Sequence, residues 1–414
     1  MKKGFTLVEL LAVVVIVGIT STIVFPAIGK IISNSKRDLY NSQVLDIEAA
    51  AEKWATNNLN LMDQYHVNDI YISLESLRYS DFLEKDEIKN PIDRTIMDGC
   101  VKIKYDDEYD KYTYIYDEKT CKTYASDSEA YIIYEYDIPS KTFIKSDASK
   151  EKRSAGLQMV EEYSSQNLIR YPGSTDSGLY DMDDEYVFKG SEVNNYVTFA
   201  NSTWRILSIS KKDYSLKLIK NSVLASNAWD TKGSINFESS TINNKLIENI
   251  NDEDGTAFGN KKIVSYDYQI GNVMNGEFSI NALKSELSKK TTTKTDSSDT
   301  SLTTAVTNTA NQKVGTISVL DYVNASATSQ CVYNYMSNKC SENNYLYNMF
   351  GSSNTTWTLN GDGAQIWYIN SDGTLALTTP AEHKQIYAVV KLLSNIYISD
   401  NLNTGTQENP YILK

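Results

Sequence analysis

Met1-Lys2-Lys3-Gly4-Phe5-Thr6-Leu7-Val8-Glu9-Leu10-Leu11 opens an apolar run that continues to Lys30, and between Phe5 and Gly29 its one charge is Glu9. A helix of about 20 apolar residues is long enough to cross a bilayer. The two lysines ahead of the run fit a short cytoplasmic start. A lone carboxylate inside such a run is costly in hydrocarbon unless a cation meets it, so Glu9 raises the question of its partner. A cleaved secretory signal fits poorly, because the core is too long and no small-x-small site follows it. A plain membrane anchor remains open on the residues alone.

Gly4, Phe5, Thr6, Leu7, Val8, Glu9 and Leu10 resemble the prepilin cleavage motif of type IV pilins and pseudopilins. The resemblance implies that a membrane aspartyl peptidase cuts between Gly4 and Phe5 and methylates the new terminus, leaving residues 1–4 as a leader. It also implies that Glu9 pairs with the terminal amine of a neighbouring subunit. A carboxylate and an ammonium that meet in hydrocarbon each relieve the other's desolvation. Pro26 falls where many such helices kink, since proline removes a backbone donor and crowds the preceding turn.

Tyr40, Val44, Ile47, Ala51 and Trp54 recur at spacings of three and four, one face of an amphipathic helix, and Asn57 and Asn58 supply a stop. The expected helix, 5–57, is roughly 80 Å long at 1.5 Å per residue. Its first half would lie in a membrane or filament core and its second half on a sheet, the lollipop shape implied by the pilin resemblance. Residues 58–150 read as the associated β domain. Tyr71–Tyr79 has a short helical pattern. Val101–Tyr105 and Thr113–Tyr116 alternate around an Asp-rich turn, a hairpin signal. Tyr131–Tyr136 and Thr142–Ile144 are further strands.

Residues 151–174 read as a linker and helix, with Leu157, Val160 and Leu168 inward, and 175–414 as a strand-rich module. Within it Tyr196–Phe199, Trp204–Ile209 and Tyr214–Ile219 are strands, and Asp372-Gly373 marks a hairpin between Ala364–Ile369 and Thr374–Thr378. Lys289–Lys313 is rich in Thr, Ser and Lys and reads as a long loop. Asn194–Phe199, Trp204-Arg205-Ile206, Trp229-Asp230 and Gly405–Ile412 resemble an uncharacterised domain of Gram-positive surface proteins, which implies a fold related to C-type lectins or formylglycine-generating enzymes. The expected class is α+β: a long N-terminal helix on a small antiparallel sheet, then a larger mixed, strand-rich domain.

The four cysteines form two local pairs, Cys100 with Cys121 and Cys331 with Cys340, read as disulfides in a chain that leaves the cytoplasm. Zinc is the alternative, but no C-x-x-C is present and the histidines are only His66 and His383, both read as surface residues. A net charge of −13 argues against nucleic-acid binding. The 30 tyrosines suit extracellular β structure with half-exposed rings, or reflect codon bias. No nucleophile elbow, Walker loop, H-E-x-x-H or dinucleotide fingerprint occurs. Asp181–Glu185 and Asn251–Gly255 are acidic but lack EF-hand spacing, so they read as solvated turns. Trp204, Trp229, Trp357 and Trp367 read as core rather than a sugar-stacking platform.

These readings give no catalytic residue, metal or cofactor. The expected function is a minor or tip type IV pilus subunit, anchored in the cytoplasmic membrane before assembly and then displayed outside the cell. Its expected partners are other pilin subunits, the prepilin peptidase, and a host-cell or matrix ligand of the C-terminal module. The alternatives are a pseudopilin of a secretion or DNA-uptake system and, more distantly, a surface-anchored enzyme.

Overall fold

A computed structural model describes residues 6–248, 262–288, 309–399 and 402–414. The protein is a mixed α+β chain with an N-terminal helix and a larger strand-rich region, and it divides into two compact units, Met1–Lys152 and Arg153–Lys414.

The first unit begins with α1 (Leu7–Asn57), which is about 76 Å long at 1.5 Å per residue. It ends where the Asn57 and Asn58 side-chain amides donate to the Lys53 and Trp54 carbonyls and so compete with continued helix. Then follow β1 (Asp69–Ser73), α2 (Leu74–Tyr79), β2 (Cys100–Asp106), β3 (Lys111–Asp117), α3 (Cys121–Ala125), β4 (Tyr131–Asp137) and β5 (Thr142–Lys145). The C-terminal half of α1 lies on this sheet. Ile47, Ala51 and Trp54 are fully buried against Ile70, Ile72, Val101 and Ile103, and Tyr40 and Val44 extend the contact half-buried. Trp54 meets Phe143 edge-on at 5.3 Å. Glu48 accepts from the Tyr116 N–H at 3.0 Å, which ties helix to β3.

Two expectations for this unit need correction. The sheet is not antiparallel throughout. Its order is β3-β2-β1-β4-β5, and β4 runs parallel to β1, Ile70 facing Ile132. A parallel pair needs a crossover, and α3 supplies it by packing against β1, β2 and β4. The segment Tyr71–Tyr79 is also not one helix. Tyr71 and Ile72 are central strand residues, and helix starts only after Ser73, whose hydroxyl caps the Ser76 N–H at 3.0 Å. The β2–β3 hairpin is as expected, with Ile103 opposite Tyr114 and Asp110 at φ 51° in the turn.

The second unit opens with α4 (Ala155–Ser165), followed by β6 (Ile169–Arg170), β7 (Gly178–Asp181), β8 (Glu185–Lys189), β9 (Tyr196–Phe199), β10 (Ser202–Ser210) and β11 (Leu216–Lys220). Next come β12 (Ala225–Ala228), α5 (Thr241–Glu248), β13 (Ile263–Val264), β14 (Tyr266–Gln269), α6 (Ile280–Ser288), β15 (Thr309–Gln312), β16 (Val314–Gly315), α7 (Val319–Asn324), α8 (Ser329–Tyr333) and α9 (Tyr345–Phe350). The unit closes with β17 (Thr356–Asp362), β18 (Gln365–Ile369), β19 (Leu375–Thr378), β20 (His383–Ile386), β21 (Val389–Leu392) and β22 (Tyr411–Ile412).

Among the described residues these strands make a ten-stranded sheet around β10, β11 and β21, a five-stranded sheet in the order β12-β20-β17-β18-β19, and the pair β14–β15. One apolar core joins them, with Trp204, Trp229, Trp357 and Trp367 buried in it. These tryptophans pack as core residues and offer no exposed stacking face. The hairpin β18–β19 turns at Asp372-Gly373, where Gly373 has φ 81° and a Cβ would lie 2.2 Å from the Ser341 Cβ. The helix α4 buries Ala155, Met159 and Val160 in this core, so residues placed by sequence in a linker pack with the second unit. It stops at Ser165; Leu168 is exposed, and Ile169 begins a strand. The tail of the expected long loop, Thr309–Gln312, is strand β15; residues 289–308 lie outside the described residues.

Candidate functional site

The start of α1 is built on Thr6 and Glu9. Thr6 is the N-cap; its hydroxyl accepts from the Glu9 N–H at 3.3 Å, and Glu9 Oε2 accepts from the Thr6 N–H at 3.0 Å and the Thr6 hydroxyl at 2.9 Å. This reciprocal capping box satisfies donors that every helix start leaves open. Both bonds use Oε2, and Oε1 has no partner among the described residues. The pattern Thr-x-x-Glu was legible in the sequence, and sequence reasoning gave Thr6 no part in it.

Beyond the cap, α1 carries apolar side chains on all sides with nothing over them. Leu7 is 82 % exposed, Val14 63 % and Ile16 61 %. A soluble protein rarely shows so large a bare apolar surface unless lipid or another chain covers it. The few hydroxyls are paired within the helix: Thr20 donates to the Ile16 carbonyl at 2.8 Å, and Ser21 to that of Val17 at 2.6 Å. That pairing suits a surrounding without water. No helix among the described residues is long and apolar enough to cross a membrane. The side chains described without a break from Leu7 to Ser21 span about 22 Å at 1.5 Å per residue, and those of Thr22–Ala27, with Pro26 among them, lie outside the described set. Gly4 and Phe5 lie outside it too.

The structure joins Cys100 to Cys121 and Cys331 to Cys340, each pair with Cα atoms 5.0 Å apart. The first bridge ties the start of β2 to the start of α3, the crossover helix, and packs with Tyr71 and Ile133. The second joins α8 to the turn Asn338–Ser341. Asp181 pairs with Lys211, and Asp183 lies 3.3 Å from Lys284. No cluster of three or more metal-ligating side chains occurs among the described residues, and Asn251–Gly255 lies outside them.

His66 is not a free surface residue. It is half-buried at φ 56°, stacked on Tyr105 with ring centres 3.5 Å apart. Burial lowers its pKa, while Asp63, Asp107 and Asp110 act in the other direction. Nothing near His66 in the sequence announces this packing, because Tyr105 comes from the distant β2. His383 is exposed at the start of β20.

Residues 1–25 match the family model of the prokaryotic N-terminal methylation motif. No curated protein and no solved structure matches the chain. The resemblance of the C-terminal region to a Gram-positive surface-protein domain is therefore without support from these comparisons. The motif supports a type IV pilin-like protein, and a precursor of the pilin or pseudopilin type. It implies processing by a prepilin peptidase and assembly with other pilins. It also suggests a membrane-anchored precursor that assembles into an extracellular pilus.

Proposed function

We propose that this protein is a minor or tip subunit of a type IV pilus, joined to its neighbours through α1 and displaying the Arg153–Lys414 unit to a ligand on a host cell or in its matrix. The observation that carries the reading is the bare apolar start of α1 directly behind a prepilin motif. Lipid covers that surface before assembly, and the helices of neighbouring subunits cover it afterwards. Glu9 keeps one carboxylate oxygen for a cation, the role that a neighbour's mature terminal amine fills. The second unit is larger than the first and has its own core, which suits a low-copy display subunit better than a close-packed shaft. The chain does this work by binding and assembly, with no catalysis.

Immunogold labelling of intact filaments tests the proposal, together with N-terminal sequencing of sheared material. The expected result is sparse or tip labelling and a mature chain that begins at Phe5. Gly4→Val leaves the precursor uncut, because only a very small residue fits the peptidase there. Labelling confined to the cell envelope, with correct processing, would replace the pilus reading by the pseudopilin one.

A further inference from the structure

Arg205, in the middle of β10, is only 4 % exposed. Its Nε donates to the Asn195 Oδ1 at 2.8 Å and one terminal nitrogen to the Val193 carbonyl at 3.4 Å. The rings of Tyr196 and Tyr345 lie 4.1 and 4.5 Å from its Cζ. Burial lowers its pKa and the two tyrosines oppose that, yet an arginine stays protonated at neutral pH. Of the other deeply buried cations of this unit, Lys217 has Asp321 and Lys384 has Glu382, while Lys189 lies over the Tyr180 ring with no paired carboxylate among the described residues. Among the described residues no carboxylate pairs with Arg205. A guanidinium carries five N–H donors, and its two hydrogen bonds here go to neutral oxygens. A buried charge without a counter-ion is costly, and cation–π contact offsets only part of that.

Arg205 lines a cleft of about 880 Å³, within the usual size of a small-molecule site. Asn194, Asn221, Asn348 and Gln407 also line it, and each amide can both donate and accept. Glu192 and Glu408, both exposed, line it as well. The wall is held in place by backbone that only glycine allows. Gly405 has φ 70°, and a Cβ there would lie 2.3 Å from the Tyr411 ring and 2.7 Å from the Asn194 carbonyl. Its own carbonyl accepts from the Tyr196 N–H at 2.9 Å. The cleft is thus a fixed polar surface with one buried positive charge.

We propose that this cleft binds a carboxylated sugar, whose carboxylate meets the Arg205 guanidinium while its hydroxyls bond to the surrounding amides. Arginine suits a planar carboxylate. Amides that donate and accept suit hydroxyls, which do the same. The two glutamate carboxylates accept from sugar hydroxyls and repel multiply charged anions such as phosphates. The inference deepens the display reading above and fails separately from it. A site that binds on a protein absent from filaments would end the display reading alone.

The test is isothermal titration of the full-length protein in detergent with N-acetylneuraminic acid and glucuronic acid. N-acetylglucosamine, acetate and an acetylated peptide with a free C-terminal carboxylate serve as comparisons. We expect at least one carboxylated sugar to bind ten-fold or more tightly than all three comparisons. Asn348→Trp, at an exposed position of α9, should abolish that binding with an unchanged circular-dichroism spectrum, and Arg205→Lys should weaken it ten-fold or more. Equal binding of the uncharged sugar would overturn the role of Arg205. Preference for the peptide or acetate would overturn the assignment to sugars. Absence of binding by folded protein, or binding untouched by Asn348→Trp, would overturn the site.

Discussion

Lys217→Met tests whether the strand-rich unit depends on a buried charge pair. Lys217 in β11 donates to the Asp321 Oδ1 in α7 at 2.7 Å, with the two side chains 12 % and 13 % exposed. The other oxygen of Asp321 accepts from the Ser318 N–H at 3.0 Å and hydroxyl at 2.7 Å, as the capping box of α7. Removing Lys217 leaves this carboxylate buried with neutral partners only, at a cost of about 3–5 kcal/mol. For a domain of roughly this size each kcal/mol lowers Tm by about 2–4 °C, so the expected fall is about 6–20 °C. Asp321→Asn should cost a similar amount, because Lys391 faces the same Tyr266 ring as Lys217 and the carboxylate that is hydrogen-bonded to Lys217 is then gone. The double variant should cost clearly less than the sum. Burial works to lower the Lys217 pKa, but Asp321, Tyr266 and Glu185 outweigh it and the net shift is upward. A raised pKa in the folded state means that the contribution is complete below the ordinary lysine value and is lost as pH rises through the folded one. The difference between wild type and Lys217→Met should therefore stay flat from about pH 6 to 9. The assay is scanning calorimetry of the full-length protein, with hydrogen exchange at β11 to identify the unit that melts. A fall of less than 2 °C, or costs that simply add in the double variant, would refute the reasoning.

Three other outcomes are expected. Glu9→Gln keeps the capping box, since glutamine serves at that position, whereas Glu9→Ala loses it; both should be cleaved and inserted yet scarce in sheared filaments by immunoblot, and normal incorporation of Glu9→Gln alone would reduce Glu9 to a cap. Trp54→Ala should destabilise the first unit by about 3–5 kcal/mol in urea unfolding, because a fully buried ring is removed between α1 and the sheet. Burial, with Lys284 acting in the same direction, pulls the Lys189 pKa down to about 8, so the unfolded chain holds more protons between that value and the usual lysine range and stability climbs with pH there; Lys189→Met should remove that slope and stabilise the protein at pH 7 by on the order of 3 kcal/mol.

Periodicity and local chemistry were readable wherever they decide structure by themselves. The spacing of Ile47, Ala51 and Trp54 located the sheet-facing side of α1, and Asp372-Gly373 located a hairpin, because both signals are complete within a few residues. The parallel pairing of β1 with β4 was not readable, since strands that alternate well can pair in either direction and the choice belongs to α3. Tyr71–Tyr79 misled because its apolar residues fit helical spacing, while tertiary pairing took the first three into a strand. At the candidate site, Glu9 announced itself as a charge in an apolar run. Arg205 did not, because a lone arginine in a strand looks solvent-facing until Tyr345, from α9, closes over it.

The pairing at residues 411–414 bears on the order in which the chain can fold. β22 runs parallel to β9, Tyr411 opposite Val197, and Leu413 N–H donates to the Thr198 carbonyl. Tyr397 bonds to Lys414 on one side and bridges Ser154 on the other. Residues at the beginning of the second unit thus wait for partners more than two hundred positions later. Synthesis delivers the chain from its N-terminus, so β9 emerges long before the strand that completes its edge. Until residue 411 is in place, that edge is a bare template for pairing with any other chain. A chain that lacks residues 411–414 would therefore present an open sheet edge at β9 beside an otherwise complete core.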